Sequence, residues 1–294
     1  MSNNLLIAIN KPQGWTSSDV VIKVRNILSK ALGEKVKVGH MGTLDPIATG
    51  VLLLGINKAT RLFDYLLKKD KEYIGTLTFG TSTDTLDSTG SVLKTSSLPK
   101  LSDIKAILPQ FKGIISQVPP KYSAIKINGK KAYDLAREGK AVEINPREVN
   151  IKDVQILQYT GLDDAIESIT MQVSCSSGTY IRSLFFDIAN ALNVCGHMSM
   201  LNRVRLANIT IDDSVTIDEL AQDPLAHFIK PIDVLKHLMP GHELTAVEFQ
   251  KLQNGLSINI DNDAEYVAMI YEGDVKFVAK NINGEYKSQT NLEW

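Results

Sequence analysis

Hydrophobic positions recur every three to four residues between Ser17 and Gly33. Val20, Val21, Val24, Ile27, Leu28 and Leu32 fall on one face of a helix. Ser17 or Ser18 marks its start and Gly33 its end. Before it, LLIAIN (5–10) reads as a strand and KPQGWTSS as a turn. VLLLGI (51–56) is short, continuous and branched, the pattern of a buried strand. KATRLFDYLLKK (58–69) returns to helical spacing, with Ala59, Leu62, Phe63, Leu66 and Leu67 on one face. EYIGTLTFG (72–80) reads as a strand and TSTDTLDSTGSV (81–92) as a polar loop. A short helix around 102–111 buries Ile104, Ile107, Leu108 and Phe111, with Ser102 as its cap.

Farther along, Asn128-Gly129 is a strong hairpin signal. The surrounding segment 121–152 is dense in Lys and Arg and reads as a protruding arm. SITMQVSC (168–175) alternates as a half-buried strand. SSGTYIRSLFFDIANAL turns at Gly178 into a helix with Ile181, Leu184, Phe185, Ile188 and Leu192 on its apolar face. MLNRVRLANIT reads as a loop leading into a strand. Residues 223–244 hold three prolines and suggest a domain boundary. Beyond them, short strand signals with Asn, Asp and Gly turns suggest a small β appendage. The body is mixed α+β, with no tandem repeat and no low-complexity tract.

Composition adds limits. A chain of 294 residues with 44% hydrophobic side chains can bury a full core, and its length fits one large domain plus a small appendage. No apolar run is long enough for a membrane span, and MSNNLLIAIN lacks the basic flank of a signal peptide. Cys175 and Cys195 form no CxxC pair, so no disulfide is expected and the expected compartment is the cytoplasm. Net charge is asymmetric. Residues 1–210 hold 26 Lys and Arg against 18 Asp and Glu, a net +8; residues 211–294 hold 6 against 15, a net −9. A basic body fits a polyanionic partner, although ordinary surface charge explains the same count.

The chemistry concentrates in GHMGTLDPIATG (39–50), where one carboxylate, Asp45, sits in a glycine-rich loop. Pro46 biases Asp45 toward extended backbone, and the glycines allow unusual angles. Such a loop can hold a carboxylate out into a cleft; it can equally be a turn that Asp45 caps. A phosphate-binding GxxxxGK[ST] is absent, as is the GxSxG of serine hydrolases. His40, Cys195 and His197 lack zinc-site spacing, so neither metal nor cofactor is expected. A buried carboxylate needs an opposite charge to stay ionised. Arg182, beside Tyr180 in SSGTYIRS, is the candidate, or else a surface arginine next to a core tyrosine. Tyr73 is a candidate too, or ordinary sheet packing.

Taken in order, NKPQGWTSSD, GHMGTLDPIATGVLLLG, KATRL, KEYIGTLTFG, TDTLDSTG, VPPKYSAIKINGKKAYDLAREG, CSSGTYIRSL and CGHMSMLNRVRL resemble the successive motifs of the bacterial TruB-type tRNA pseudouridine synthases. The match runs from about residue 5 to about 235. The resemblance implies an α+β pseudouridine-synthase fold, with a long, mixed, mainly antiparallel sheet flanked by helices. Residues 1–235 would form the catalytic domain, with an RNA-clamping arm at about 121–152. Residues 240–294 would form a small PUA-like β domain. The implied activity is isomerisation of the uridine at position 55, in the TΨC loop of tRNA, by a cofactor-free, metal-free monomer that needs no membrane.

The resemblance also assigns roles. Asp45 would be the catalytic carboxylate, attacking the flipped uridine at C1′ or C6. Arg182 would pair with it. Tyr73 would stack on the base, with a further part in removing the C5 proton. Tyr180 and Leu201 would line the base pocket, and His40 would stack within the tRNA elbow. Lys11 and Pro12 would buttress the catalytic loop. Asn202 departs from the basic residue expected there, which touches a phosphate contact and not the chemistry. Two other readings compete: an RNA-binding or RNA-folding protein, and a small-molecule α+β enzyme. A pure binder has no need of a carboxylate facing RNA phosphates, and the basic body disfavours the small-molecule reading.

Overall fold

A computed structural model describes residues 4–123, 125–127, 129–132 and 144–293. In chain order the strands are β1 (Leu6–Lys11), β2 (Val38–His40), β3 (Thr49–Ile56), β4 (Lys71–Phe79), β5 (Thr81–Thr83) and β6 (Val92–Thr95). They continue with β7 (Gly113–Gln117), β8 (Lys126–Ile127), β9 (Lys130–Lys131), β10 (Arg147–Leu162), β11 (Ala165–Cys175) and β12 (Gly196–Leu206). The last five are β13 (Ile209–Thr210), β14 (Gly241–Glu243), β15 (Tyr266–Tyr271), β16 (Asp274–Ile282) and β17 (Glu285–Asn291). Two compact units divide the chain: residues up to Leu67 together with those from Arg205 onward, and Lys68–Val204.

In the first unit, β3 pairs antiparallel with both β1 and β2. Every residue of β3 after Thr49 is buried, as its unbroken apolar run predicts. The helix Ser17–Leu32 follows β1. Thr16 caps it through a reciprocal capping box with Asp19, and Val20, Val24 and Leu28 are buried along its inner stripe. The C-terminal sheet runs β14-β15-β16-β17, with β14–β15 parallel and the other pairs antiparallel. Its pleat divides its side chains between two clusters. Ala268, Val278 and Leu292 join Leu6, Leu53, Leu66 and Val234 in one. Met269, Phe277 and Tyr286 join Leu252, on the helix Ala246–Gln253, in the other. The strand signals in the sequence did not anticipate that helix. Within the proline-bearing stretch 223–244, the helix Pro231–Leu235 buries Val234 and Leu235 in the first cluster.

In the second unit, β12, β4, β11, β10 and β7 follow one another. The β4–β11, β11–β10 and β10–β7 pairs are antiparallel. Tyr73 lies opposite Val173, and Gln117 lies opposite Arg147. The helix Ile181–Ala191 buries Ile181, Leu184, Phe185 and Ile188, the predicted face; Leu192 is its half-buried C-cap. The fold is α+β, with a mainly antiparallel sheet, flanking helices and a small C-terminal β-sheet, as expected.

Three local readings are corrected. MLNRVRLANIT is mostly strand, because an inward position of β12 that pattern reading expects to be apolar holds the buried Arg203. The helix Leu101–Ile107 begins after Lys100, so Ser102 lies inside it and does not cap it. Arg147–Lys152, read as the end of the basic arm, belong to β10. β8 and β9 pair across the expected hairpin, with Ile127 opposite Lys130. Residues 124, 128 (the Asn of the Asn128-Gly129 signal) and 133–143 of the predicted arm lie outside the described residues. Among the described residues, no helix is long and apolar enough to cross a membrane.

Candidate active site

The loop carrying Asp45 hangs between β2 and β3 and is tied down at several points. Leu44 donates its N–H to Ser17 Oγ at 2.9 Å, and Ser17 Oγ lies 3.1 Å from Leu44 O. Ala48 N–H donates to Asp45 O at 3.0 Å. Gly42 and Gly50 flank the loop with φ of 127° and 97°, which side-chain-bearing residues rarely adopt. Lys11, at the end of β1, is fully buried. Its Nζ donates to Trp15 O at 2.6 Å, Pro12 O at 2.9 Å and Pro46 O at 3.4 Å. Gly14 N–H also donates to Pro46 O, at 2.7 Å. The KPQGW turn and the Asp-Pro step are therefore joined through one ammonium. Asp45 itself is partly exposed, while Leu44, Ile47 and Ala48 around it are buried. A half-buried carboxylate on a loop anchored by buried neighbours is positioned without being consumed by the core.

The second unit holds Tyr73, Tyr180, Arg182 and Leu201. Arg182, in the first turn of its helix, is 4% exposed. Its Nη1 donates to Thr85 O at 3.0 Å and its Nη2 to Tyr122 O at 2.9 Å. Nη1 also lies 3.7 Å from Asp87 Oδ2. Asp87 is equally buried, and its other oxygen accepts from Thr85 Oγ1 at 2.8 Å, Thr89 Oγ1 at 2.6 Å and Thr89 N–H at 3.0 Å. One oxygen of Asp87 organises the TDTLDSTG loop and the other faces the arginine. The sequence reading missed Asp87. Threonines two residues either side of an aspartate were its signal, but the same pattern marks any surface turn.

Tyr73, on β4, is nearly buried. Its same-face neighbour Gly75 leaves room for Phe185 and Leu201: a Cβ there would stand 3.0 Å from the Phe185 ring and 3.2 Å from Leu201 Cδ1. Tyr73 also hydrogen-bonds Arg203. Burial pulls the Arg203 guanidinium below its ordinary pKa, and Tyr73 acts in the opposite direction. Lys71, at the start of β4, donates to Lys69 O at 2.7 Å. Burial first, and the charge of Arg203 second, pull its ammonium down to about 8. Burial pushes the Cys175 thiol up to about 11, which removes it as a nucleophile near neutral pH. Arg203 and Lys71 were not singled out in the sequence.

Residues 28–181 match the TruB family pseudouridylate synthase N-terminal domain, and residues 182–236 match the tRNA pseudouridylate synthase B C-terminal domain. The chain belongs to the TruB family of pseudouridylate synthases. It is 39% identical over 281 residues to the tRNA pseudouridine synthase B of Caldanaerobacter subterraneus subsp. tengcongensis, covering 95% of this chain and 94% of that one. It is 38% identical over 275 residues to the protein of the same name from Aquifex aeolicus, covering 92% and 93%. Among solved structures it is similar to a chain of an H/ACA ribonucleoprotein bound to a substrate RNA containing 2′-deoxyuridine. The TM-score is 0.73 at 20% identity, over all of this chain and 86% of that one, and the likeness establishes the fold. The matched segments, 28–236, reach into both units and include Asp45, Tyr73, Tyr180, Arg182 and Leu201, while Lys11 and Pro12 precede them.

Proposed function

We propose that this chain isomerises the uridine at position 55, in the TΨC loop of tRNA, to pseudouridine, with Asp45 as the catalytic carboxylate. The observation that carries this reading is the anchored loop 39–50. It holds one half-exposed carboxylate among buried neighbours, in a chain of the TruB family. Relatives named tRNA pseudouridine synthase B support tRNA as the substrate.

The chemistry follows from that carboxylate. A uridine inside a folded loop is out of reach, so it must be extruded, at about a few kcal/mol. Stacking on Tyr73 offsets that cost, at roughly 1–3 kcal/mol per base. Tyr180 and Leu201 line the pocket. Asp45 attacks at C1′ or C6, the C1′–N1 bond breaks, and the detached base turns. C5 then bonds to C1′, the bond to Asp45 breaks and restores its carboxylate, N1 ends protonated and the C5 proton leaves. A covalent carboxylate divides one difficult exchange into easier steps. Arg182 supplies the counter-charge that keeps Asp45 ionised. Lys11 and Pro12 hold the loop, and His40 stacks within the tRNA elbow.

The basic segment 121–152, apart from the strand residues 147–152, clamps the stem–loop, reading shape and splayed bases. Residues 240–294 form the PUA-like module. The net −9 of residues 211–294 gives that end little hold on phosphate. No cofactor or metal enters these steps, and the enzyme works as a cytoplasmic monomer.

The test uses two unmodified tRNA transcripts, one with uridine and one with cytidine at position 55, each incubated with the chain and digested to nucleosides. Pseudouridine from the first alone is expected. Pseudouridine from both would move the target elsewhere in the tRNA, and none from either would remove the activity.

A further inference from the structure

Gln117, the last residue of β7, is fully buried. Its carboxamide binds both backbone groups of a single residue. Tyr180 N–H donates to Gln117 Oε1 at 2.8 Å, and Gln117 Nε2 donates to Tyr180 O at 3.1 Å. Tyr180 is the N-cap of the helix Ile181–Ala191, and no side chain of its own caps that helix. Across the strand pair, directly opposite Gln117, stands Arg147. The Arg147 guanidinium carbon lies 4.8 Å from the centroid of the Tyr180 ring, and its Nη2 donates to Gly178 O. One register position of the sheet thus supplies both a backbone clamp and a ring support to the same tyrosine.

The clamp extends into the loop that follows β7. Ser183 Oγ donates to Val118 O at 2.7 Å, and Arg182 Nη2 donates to Tyr122 O at 2.9 Å. Residues 117–122 are therefore tied to residues 180, 182 and 183. A carboxamide offers a donor and an acceptor side by side on one planar group, matching the N–H and C=O of one residue. Glutamate would turn a carboxylate toward Tyr180 O, and leucine would leave both backbone groups without a partner.

We propose that Gln117, with Arg147 opposite it, is a positioning residue for the isomerisation, holding the Tyr180 ring in place as a wall of the base pocket. The proposal rests on the isomerase reading, in which Tyr180 lines that pocket. Gln117 touches no reacting atom and acts through Tyr180. A small displacement of a group that orients a substrate costs rate far more than it costs affinity when most of the binding comes from phosphate contacts elsewhere.

The experiment compares wild type with Gln117→Leu in the native and the Tyr180→Ala backgrounds. It measures single-turnover isomerisation at saturating tRNA, tRNA affinity, and hydrogen exchange of the Tyr180 amide. Gln117→Leu is expected to slow isomerisation by about tenfold or more while affinity changes by less than about threefold. In the Tyr180→Ala background the same substitution should cost less than about twofold, because its route of action is gone. The Tyr180 amide should exchange at least about tenfold faster in Gln117→Leu. Equal losses in both backgrounds, or a wild-type rate in a folded Gln117→Leu, would overturn the proposal. If Gln117→Leu does not fold, Arg147→Met, which removes only the ring support and the Gly178 bond, carries the same rate comparison. If wild type itself makes no pseudouridine, the isomerase reading fails on its own. The Tyr180 amide then still decides the clamp, and unchanged exchange rejects it.

Discussion

Arg182 Nη1 lies 3.7 Å from Asp87 Oδ2, with the arginine side chain 4% exposed and the aspartate 7%. Within its own unit this arginine faces a carboxylate whose second oxygen is held by three donors from Thr85 and Thr89. Asp87 therefore fixes where Arg182 can go. A flexible arginine would lose side-chain entropy in taking up a working position, and one already oriented by Asp87, Thr85 O and Tyr122 O has lost it on folding.

Removing Asp87 should accordingly be costly. Truncating one partner of a buried ion pair typically costs about 3–5 kcal/mol. We expect Asp87→Ala to lower unfolding stability by about 3 kcal/mol in denaturant titrations, and to slow isomerisation. Asp87→Asn keeps an oxygen for the threonine donors and replaces the charged oxygen facing Arg182 with an amide NH2. It should therefore lose less stability than Asp87→Ala and still show a slower reaction. Wild-type rates in Asp87→Asn would count against the orienting role.

Lys11 gives a second, independent test. Its ammonium serves the carbonyls of Pro12, Trp15 and Pro46 from a fully buried position. Methionine fills similar volume and offers no donor. Leaving Pro12 O and Trp15 O without that donor, while Pro46 O keeps the Gly14 N–H, should cost about 2–3 kcal/mol. The loss should appear in denaturant unfolding of Lys11→Met, together with reduced isomerisation, because Pro46 directly follows Asp45. An unchanged rate in a destabilised variant would separate the anchor from the chemistry.

Asp187 yields a pH prediction. It lies in the wall of a cleft of roughly 720 Å³ that Tyr122, Phe186 and Asn190 also line. Burial pushes its carboxyl from an ordinary 3.8 up to about 6. The folded state therefore binds more protons than the unfolded state between about pH 4 and 6. Across that window this group makes stability fall as pH rises. Asp187→Asn removes the effect, so the Tm of the variant relative to wild type should climb from pH 4 to pH 6 and level off above. A constant difference over that range would show that the carboxyl is not perturbed.

Much of the fold was legible because its elements are locally consistent. The stripe Val20, Val24 and Leu28 and the run VLLLGI each follow one period, and each is buried as that period requires. Legibility failed where a polar residue occupies an inward position. Arg203 broke the apolar pattern of β12 and made a strand look like a loop. The long strand β10 was hidden because its first half reads as basic arm and its far half is exposed, so neither half alternates cleanly. For the site, Asp45 stood out through the glycines and the proline around it. Asp87, Gln117 and Arg147 did not. Their importance lies in contacts made across 95, 63 and 31 residues of chain, with Arg182, Tyr180 and Gly178 respectively. Local pattern carries no trace of such contacts.

The central claim is that Asp45 is the carboxylate that performs the isomerisation. Forming the C5–C1′ bond expels the hydrogen on C5, so a tRNA transcript labelled with tritium at uridine C5 reports each turnover. The measurement is tritium release by wild type beside Asp45→Asn, with tRNA binding measured on both. Wild type should release one equivalent per tRNA, and Asp45→Asn none at nearly unchanged affinity. Release by the variant at a comparable rate would contradict the account and place the chemistry on another residue.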